Sequence, residues 1–187
     1  MSKYNLAKFF TINVLKLLPI DTLPNLNQDN YVIRGCLKSE LEEAEKIYKT
    51  LNSRGFSRIQ KMLLMLFSNK NLIITISNQN GYKKIVGINL YYINHRDFKE
   101  NTIHEGFIGV IPEFEGRGIA TKMRKQAIEH FRNAGFKGIS TRISQNNLGS
   151  LNSARKLGFE PVEEYFDSVM GEDRYYLIYN LRNESDK

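Results

Sequence analysis

Residues 112–120 read PEFEGRGIA, and they mark the change from a strand to a helix that decides the fold. The preceding residues 102–111, TIHEGFIGVI, read as a strand. In residues 119–135, IATKMRKQAIEHFRNAG, the apolar side chains recur every four residues, at Ile119, Met123, Ala127 and Phe131. This period predicts a helix with one buried face, and Gly135 is expected to end it.

The glycines at 116 and 118 stand where that helix begins. Successive backbone N–H groups at a helix N-terminus attract anions, and glycines let the backbone approach a diphosphate closely. Four cations lie within about two turns of this point, where an empty helix disfavours them: Arg117, Lys122, Arg124 and Lys125. An anion site would explain them. A plain strand-to-helix turn with solvated basic residues is the alternative, and this stretch by itself leaves both open.

Two common phosphate-binding motifs do not fit the stretch. The P-loop pattern GxxxxGK is absent from the sequence. The dinucleotide pattern GxGxxG fails because Thr121 occupies the third glycine position, and residues 144–147 (SQNN) lack the acid that would bind a ribose.

The rest of the chain predicts one domain in which strands and helices alternate. Helices are expected at 39–55, 57–67, 119–135 and 148–158, and strands at 31–35, 71–77, 82–94, 102–111 and 136–144, with two more strands after residue 158. A turn at 78–81 joins two of the strands. The order is strand, two helices, three strands, helix, strand, helix and two strands, which indicates a mixed α/β fold.

Composition restricts the class of partner. The 187 residues are 41% apolar and 25% charged, and 27 Lys and Arg against 20 Asp and Glu give a formal charge of +7. A basic balance suits phosphorylated or nucleotide-linked partners, but a solvated basic surface is an equal explanation. No dense Lys/Arg run is present, so nucleic acid is not an expected partner.

Cys36 is the one cysteine, so no disulfide can form within the chain, which fits a reducing, cytoplasmic location. No run of about 18 apolar residues predicts a transmembrane helix. No metal site is predicted.

The first 29 residues form a separate N-terminal extension in this interpretation, and residues 30–187 form the domain. In residues 1–20, lysines are interleaved with apolar residues, unlike the separated regions of a signal peptide. An amphipathic helix docked on the core is favoured over one lying on a membrane surface. The polar segment 23–30, LPNLNQDN, reads as a linker.

The stretch Val110–Ala120 resembles motif A of the GNAT acyltransferases, in which a Gln/Arg-x-x-Gly-x-Gly/Ala loop leads from a strand into a helix. A second match lies downstream. Asn147-x-x-Ser150 followed by Ala154-x-Lys156-Leu157-Gly158-Phe159 resembles motif B of the same family. The resemblance covers about residues 30–181. It implies a GNAT-like fold, with a central mixed, twisted sheet of about six to seven strands flanked by helices.

The resemblance also implies an activity: transfer of an acetyl group from acetyl-CoA, the cosubstrate, to a primary amine by direct attack. The acceptor would be a small molecule, an amino sugar or a peptide. A non-catalytic acyl-CoA-binding module is the alternative, and a homodimer is left open. By the same resemblance, the gap beside the motif A strand would hold pantetheine. The cofactor-binding residues would be Val110, Glu115, Gly116, Arg117, Gly118, Ile119, Ala120, Thr121, Asn147 and Ser150.

Two positions depart from the family pattern. Glu115 stands where the family has Gln or Arg, and a carboxylate beside a diphosphate costs about 1 kcal/mol in solvent-like surroundings. Ala154 stands where many members have a tyrosine that protonates the leaving thiolate, which alanine cannot do. Ser150 and Tyr165 carry hydroxyl groups, but for both a structural role is the preferred interpretation.

The candidate proton acceptors are His104 and Glu105, which are adjacent on a strand and therefore point to opposite faces. Members with a strand glutamate as base have it six residues before the position of Val110, and this count leads to His104. A β-bulge would exchange the faces and favour Glu105. Histidine has an ordinary pKa suited to a base at neutral pH, and it is slightly preferred here.

Overall fold

The structure is a computed structural model, and residues 3–28, 30–79 and 82–182 are described. Residues 80 and 81 of the predicted turn lie outside these ranges. The helices are α1 Lys3–Leu17, α2 Leu41–Asn52, α3 Arg58–Asn71, α4 His95–Glu100, α5 Ile119–Asn133 and α6 Leu148–Arg155. The strands are β1 Leu26–Gln28, β2 Tyr31–Gly35, β3 Leu72–Gln79, β4 Tyr82–Tyr92, β5 Thr102–Val110, β6 Gly138–Ser144, β7 Glu160–Asp167 and β8 Glu172–Asn180.

The strands form one mixed sheet in the order β1-β2-β3-β4-β5-β6-β8-β7. β5 and β6 are parallel, and the other neighbouring strands are antiparallel. One apolar cluster includes Met123, Ala127 and Phe131 of α5, and the other includes Ala44 and Tyr48 of α2. The sheet is therefore covered by helices on both faces, as the alternating pattern predicts.

The sheet has eight strands, slightly more than expected, because part of the predicted linker is a strand. Leu26 in β1 pairs with Ile33 in β2, so residues 26–28 extend the sheet edge despite their polar composition. The short helix α4 was not predicted. Its first turn is capped by the side chain of Asn94, which accepts hydrogen bonds from the N–H groups of Arg96 and Asp97.

The N-terminal helix α1 packs against α3. Ile12 and Leu17 of α1 are buried. The amide of Asn13 donates to the carbonyl oxygen of Ile93 at 2.8 Å and accepts from its N–H at 2.8 Å. The helix is therefore docked on the core through both apolar and polar contacts. Within the described ranges, no helix is long and apolar enough to cross a bilayer.

The parallel strands β5 and β6 pair over only part of their length, from Thr102 opposite Gly138 to Glu105 opposite Thr141. Beyond this point, β5 continues along β4 and β6 continues along β8, so the two strands diverge. Gly106 is the extra residue of a β-bulge, because Leu90 pairs with Phe107 while Tyr91 pairs with Glu105. The divergence opens a gap in the middle of the sheet.

Candidate functional site

Two cavities meet at this gap. The first, about 840 Å³, lies between the diverging strands, and the second, about 510 Å³, lies along the loop that precedes α5. The residues that line both cavities are Ile108, Arg124, Asn147, Gly149 and Ser150. A long, thin molecule could therefore extend from the glycine loop into the gap between the strands.

The backbone of the glycine loop adopts a conformation that favours glycine. Gly116 and Gly118 have φ values of +71° and +73°, in the left-handed region that favours glycine. Gly118 is the N-cap of α5, and the first N–H of the helix to find a carbonyl partner is that of Lys122, which donates to Gly118. Within the described chain, the N–H groups of residues 116–121 have no backbone acceptor. They form a row of donors suited to an anion.

The side chains of the loop divide into two groups. Glu115, Ile119, Ala120 and Thr121 line the second cavity, as does Val110 at the end of β5. Arg117 points elsewhere: its Nη2 donates to the carbonyl oxygen of Glu113 at 2.9 Å, and its guanidinium lies 4.8 Å from the centre of the Phe114 ring. Glu115 is exposed, and Arg117 does not neutralise it in this arrangement.

The start of α6 forms the opposite wall of the site. The side chain of Asn147 caps this helix by accepting a hydrogen bond from the N–H of Ser150 at 3.0 Å. The hydroxyl groups of Thr121 and Ser153 lie 3.2 Å apart and join α5 to α6. Ala154, one turn after Ser150, is fully buried in the core.

Glu105 lies at the point where the strands separate, and it is one of the residues that line the first cavity. Arg124 Nη2 donates to Glu105 Oε2 at 2.7 Å, and both side chains are only 1% exposed. Asn89 Nδ2 and the Tyr91 hydroxyl donate to Oε1 at 3.0 and 3.2 Å. Burial would raise the pKa of Glu105, but the charge of Arg124 and the hydrogen bonds outweigh it and lower the pKa, which keeps the carboxylate ionised.

Arg124 also reaches the start of α6. Its Nη1 donates to the carbonyl oxygen of Ser150 at 3.1 Å, and its Nη2 donates to Ser150 Oγ at 3.1 Å. In the sequence, Arg124 stands out only as one of four cations near a helix start. A sharper signal was available, because a helix places residue 124 in the same stripe as Ala120, Ala127 and Ile128, which marks it as a buried charge.

His104 points to the other face of the sheet and does not line either of the two cavities. Its Nδ1 lies 2.7 Å from Ser140 Oγ, and that hydroxyl donates to Asp97 Oδ1 at 2.6 Å. Burial lowers the pKa of His104 to about 4, although the carboxylate of Asp97 opposes the shift. The bulge at Gly106 therefore brings Glu105, and not His104, to the cavity.

Tyr165 lies on β7 and lines neither of the two cavities. Across the described part of the chain, no group of three or more His, Cys, Asp or Glu residues could hold a metal ion.

Comparison with known proteins agrees with this geometry. The model of the Acetyltransferase (GNAT) family matches residues 39–159. An uncharacterized N-acetyltransferase of Methanocaldococcus jannaschii is 36% identical over 61 residues, which are 33% of this chain and 26% of that protein. The match therefore spans about a quarter of the length of this curated relative.

Solved structures share the fold. The structure of the NatC complex bound to Gag peptide and CoA contains a chain with a TM-score of 0.72 at 20% identity, covering 82% of this chain and 99% of that one. The ribosomal-protein-S18-alanine N-acetyltransferase from Escherichia coli has a TM-score of 0.62 at 16% identity, covering 82% and 97%. Arabidopsis thaliana Naa50 in complex with a bisubstrate analogue has a TM-score of 0.67 at 13% identity, covering 81% and 99%.

Proposed function

Because this chain belongs to the GNAT family of acetyltransferases, we propose that it transfers the acetyl group of acetyl-CoA to a primary amine. The observation that carries the proposal is the continuity between the cavity at the glycine loop and the gap between β5 and β6. Five residues line both cavities, so one elongated thioester could occupy both sites. Binding of a dinucleotide or a nucleic acid would not require a gap inside the sheet.

Different residues of the chain would bind the diphosphate and the pantetheine arm of acetyl-CoA. The N–H groups of residues 116–121 would hold the diphosphate, because they are unpaired donors at the N-terminus of α5. The β5 main chain near Val110 would lie along the pantetheine arm, and Asn147 would flank it from α6. When bound, acetyl-CoA supplies an activated acetyl group whose carbonyl carbon the amine can attack.

Glu105 is the residue that we assign to proton transfer. An alkyl amine is protonated at neutral pH, so a base must remove a proton before or during attack. Glu105 is one of the residues that line the first cavity and it stays ionised, so its negative charge would attract an ammonium group or a water that enters the cavity. Its lowered pKa makes it a weak base, so a relayed water fits it better than direct abstraction.

The acceptor amine is the finer part of the proposal. It is a small molecule, an amino sugar or a peptide N-terminus. Two of the solved structures with this fold contain a peptide or a peptide-like bisubstrate analogue, which supports including peptides among the acceptors tested.

The test is thiol release from acetyl-CoA over a panel of small amines, amino sugars and peptides, together with calorimetric titration of CoA. Turnover of at least one amine is expected, and Glu105→Gln should lower kcat about 100-fold or more. Glu129→Gln, an exposed position on the far side of α5, is the control and should keep full activity. Binding of CoA without turnover of any amine would favour the acyl-CoA-binding module instead. Absence of CoA binding would overturn the proposal.

A further inference from the structure

The structure contains a hydroxyl group at the junction of the two cavities that the proposed function has not used. Ser150 lines both cavities and is only partly buried. Its Oγ accepts a hydrogen bond from Arg124 Nη2 at 3.1 Å. In the described residues, the hydroxyl proton of Ser150 has no acceptor, so it remains able to donate into the cavity.

Arg124 fixes the position of this hydroxyl from two directions. Its Nη1 holds the carbonyl oxygen of Ser150 at 3.1 Å and its Nη2 holds the Oγ. Accepting from a cation also polarises the Ser150 O–H bond and makes it a better donor. Because the Arg124 side chain is 1% exposed and paired with Glu105, it cannot easily move away.

The same nitrogen, Arg124 Nη2, contacts Glu105 Oε2 at 2.7 Å and Ser150 Oγ at 3.1 Å. One guanidinium nitrogen thus holds an ionised acceptor and a hydroxyl donor close to each other at the first cavity, which both residues line. Acyl transfer from a thioester needs such a pair: the amine loses a proton as the C–N bond forms, and the sulfur gains negative charge as the C–S bond breaks.

We propose that Ser150 is a catalytic residue that donates a hydrogen bond to the departing sulfur, and that Arg124 is its positioning residue. The electron pair of the C–S bond passes to the sulfur. Ser150 stabilises the resulting thiolate, which takes up a proton equivalent to the one lost by the amine, so the products are the amide and CoA thiol. Ser150 is unchanged at the end. This inference rests on the proposed function.

The test uses CoA alone and does not need the acceptor. The thiol of CoA bound to the full chain is titrated by its thiolate absorbance in the ultraviolet, in the wild type and in three variants. Ser150→Ala should raise the pKa of the bound thiol by about one to two units, the effect of losing a hydrogen bond to a charged group. Ser150→Thr keeps the hydroxyl and should stay close to the wild type. Asn152→Ala, on an exposed face of α6, is the control.

A kinetic measurement gives an independent result. With any amine that turns over, Ser150→Ala should lower kcat about 10-fold or more and change the Kd of acetyl-CoA less than twofold, because the hydrogen bond forms only as charge develops. An unchanged thiol pKa in Ser150→Ala would overturn the assignment, as would an equal rise in Asn152→Ala. Failure of the wild type to bind CoA would instead refute the proposed function.

Discussion

Arg124 and Glu105 form an ion pair in the interior of the protein, with Arg124 Nη2 donating to Glu105 Oε2 at 2.7 Å and both side chains 1% exposed. Removing two charges from water is costly, and a well-packed apolar pair of similar volume is often as stable or more stable. Stability alone therefore does not explain the pair. Arg124 lines both cavities and Glu105 lines the first, so we expect the two charges to serve the site.

Replacing the two residues separately and together distinguishes a structural role of the ion pair from a functional one. Arg124→Met alone should cost about 3–5 kcal/mol, because Glu105 would be left charged and unpaired in the interior. Glu105→Met alone should have a similar cost. The double variant should recover most of this loss, because neither charge remains. Chemical denaturation at neutral pH measures all three free energies of unfolding.

The stable double variant then tests function without the confounding effect of unfolding. It should bind CoA at the glycine loop, since neither side chain belongs to the row of N–H donors, but acetyl transfer should be lost. If the double variant kept wild-type kcat, the ion pair would be structural and Glu105 would not be the proton acceptor.

Gly118→Ala should weaken CoA binding, and its loss of folding stability should not account for the weaker binding. A Cβ at this position has no atom within 4 Å, so the cost arises from the left-handed backbone, at φ +73°, and amounts to about 1–2 kcal/mol of stability. The matched control is Gly135→Ala, which also has open space and a φ of +79° but lies at the far end of α5. Both variants should lose similar stability by denaturation.

Only Gly118→Ala should lose affinity for CoA in calorimetric titration, by about 10-fold, since the added Cβ stands between the diphosphate and the N–H groups. Equal affinity of the two variants would mean that the glycine loop does not hold the diphosphate.

The strand-to-helix transition at residues 112–120 was predictable because local rules determine it: the apolar period of α5, the glycines at its start and the strand before it. The partial pairing of β5 with β6 was not derivable from local pattern, because it depends on which strand each half pairs with. The gap between these two strands was expected only because the resemblance to the GNAT family implied it.

The residues of the candidate site were also only partly predictable from local sequence pattern. The sequence brought His104 and Glu105 to attention but could not decide which faces the cavity, because one bulge residue, Gly106, exchanges their faces. The partner of Glu105 lies 19 residues away on α5, and only the packing of that helix brings Arg124 to it. Long-range contacts of single side chains carry little signal in one sequence.

Glu115→Gln should strengthen CoA binding. Glu115 is exposed, lines the second cavity and is not neutralised by Arg117, so its charge opposes a diphosphate held by the same loop. Relief of about 1 kcal/mol corresponds to about fivefold tighter binding at low salt, and less at high salt because the carboxylate is exposed. Calorimetry at two salt concentrations measures both effects. The control is Glu113→Gln, also exposed but outside the cavity lining; unchanged or weaker binding in Glu115→Gln would contradict the prediction.

His104 should make the stability of the protein depend on pH between about 6.5 and 4. Burial lowers its pKa to about 4 in the folded chain, from an ordinary 6.5, so the unfolded chain binds a proton in this interval and the folded chain does not. Stability is therefore full above pH 6.5 and falls as the pH decreases toward 4, by about 3 kcal/mol in total. His130, whose pKa burial also lowers, adds a contribution of the same sign.

Comparison of variants isolates the part due to His104. His104→Gln cannot titrate, so its free energy of unfolding should fall less steeply from pH 6.5 to 4 than that of the wild type. The charge of Lys8 lowers the pKa of His95 on α4, but this position is exposed and screened by solvent, so His95→Gln should change the slope much less than His104→Gln does. Urea denaturation at half-unit pH intervals measures the slopes. Parallel curves for His104→Gln and the wild type would show that His104 is not held neutral by burial, and that the hydrogen bond to Ser140 is compatible with its charged form.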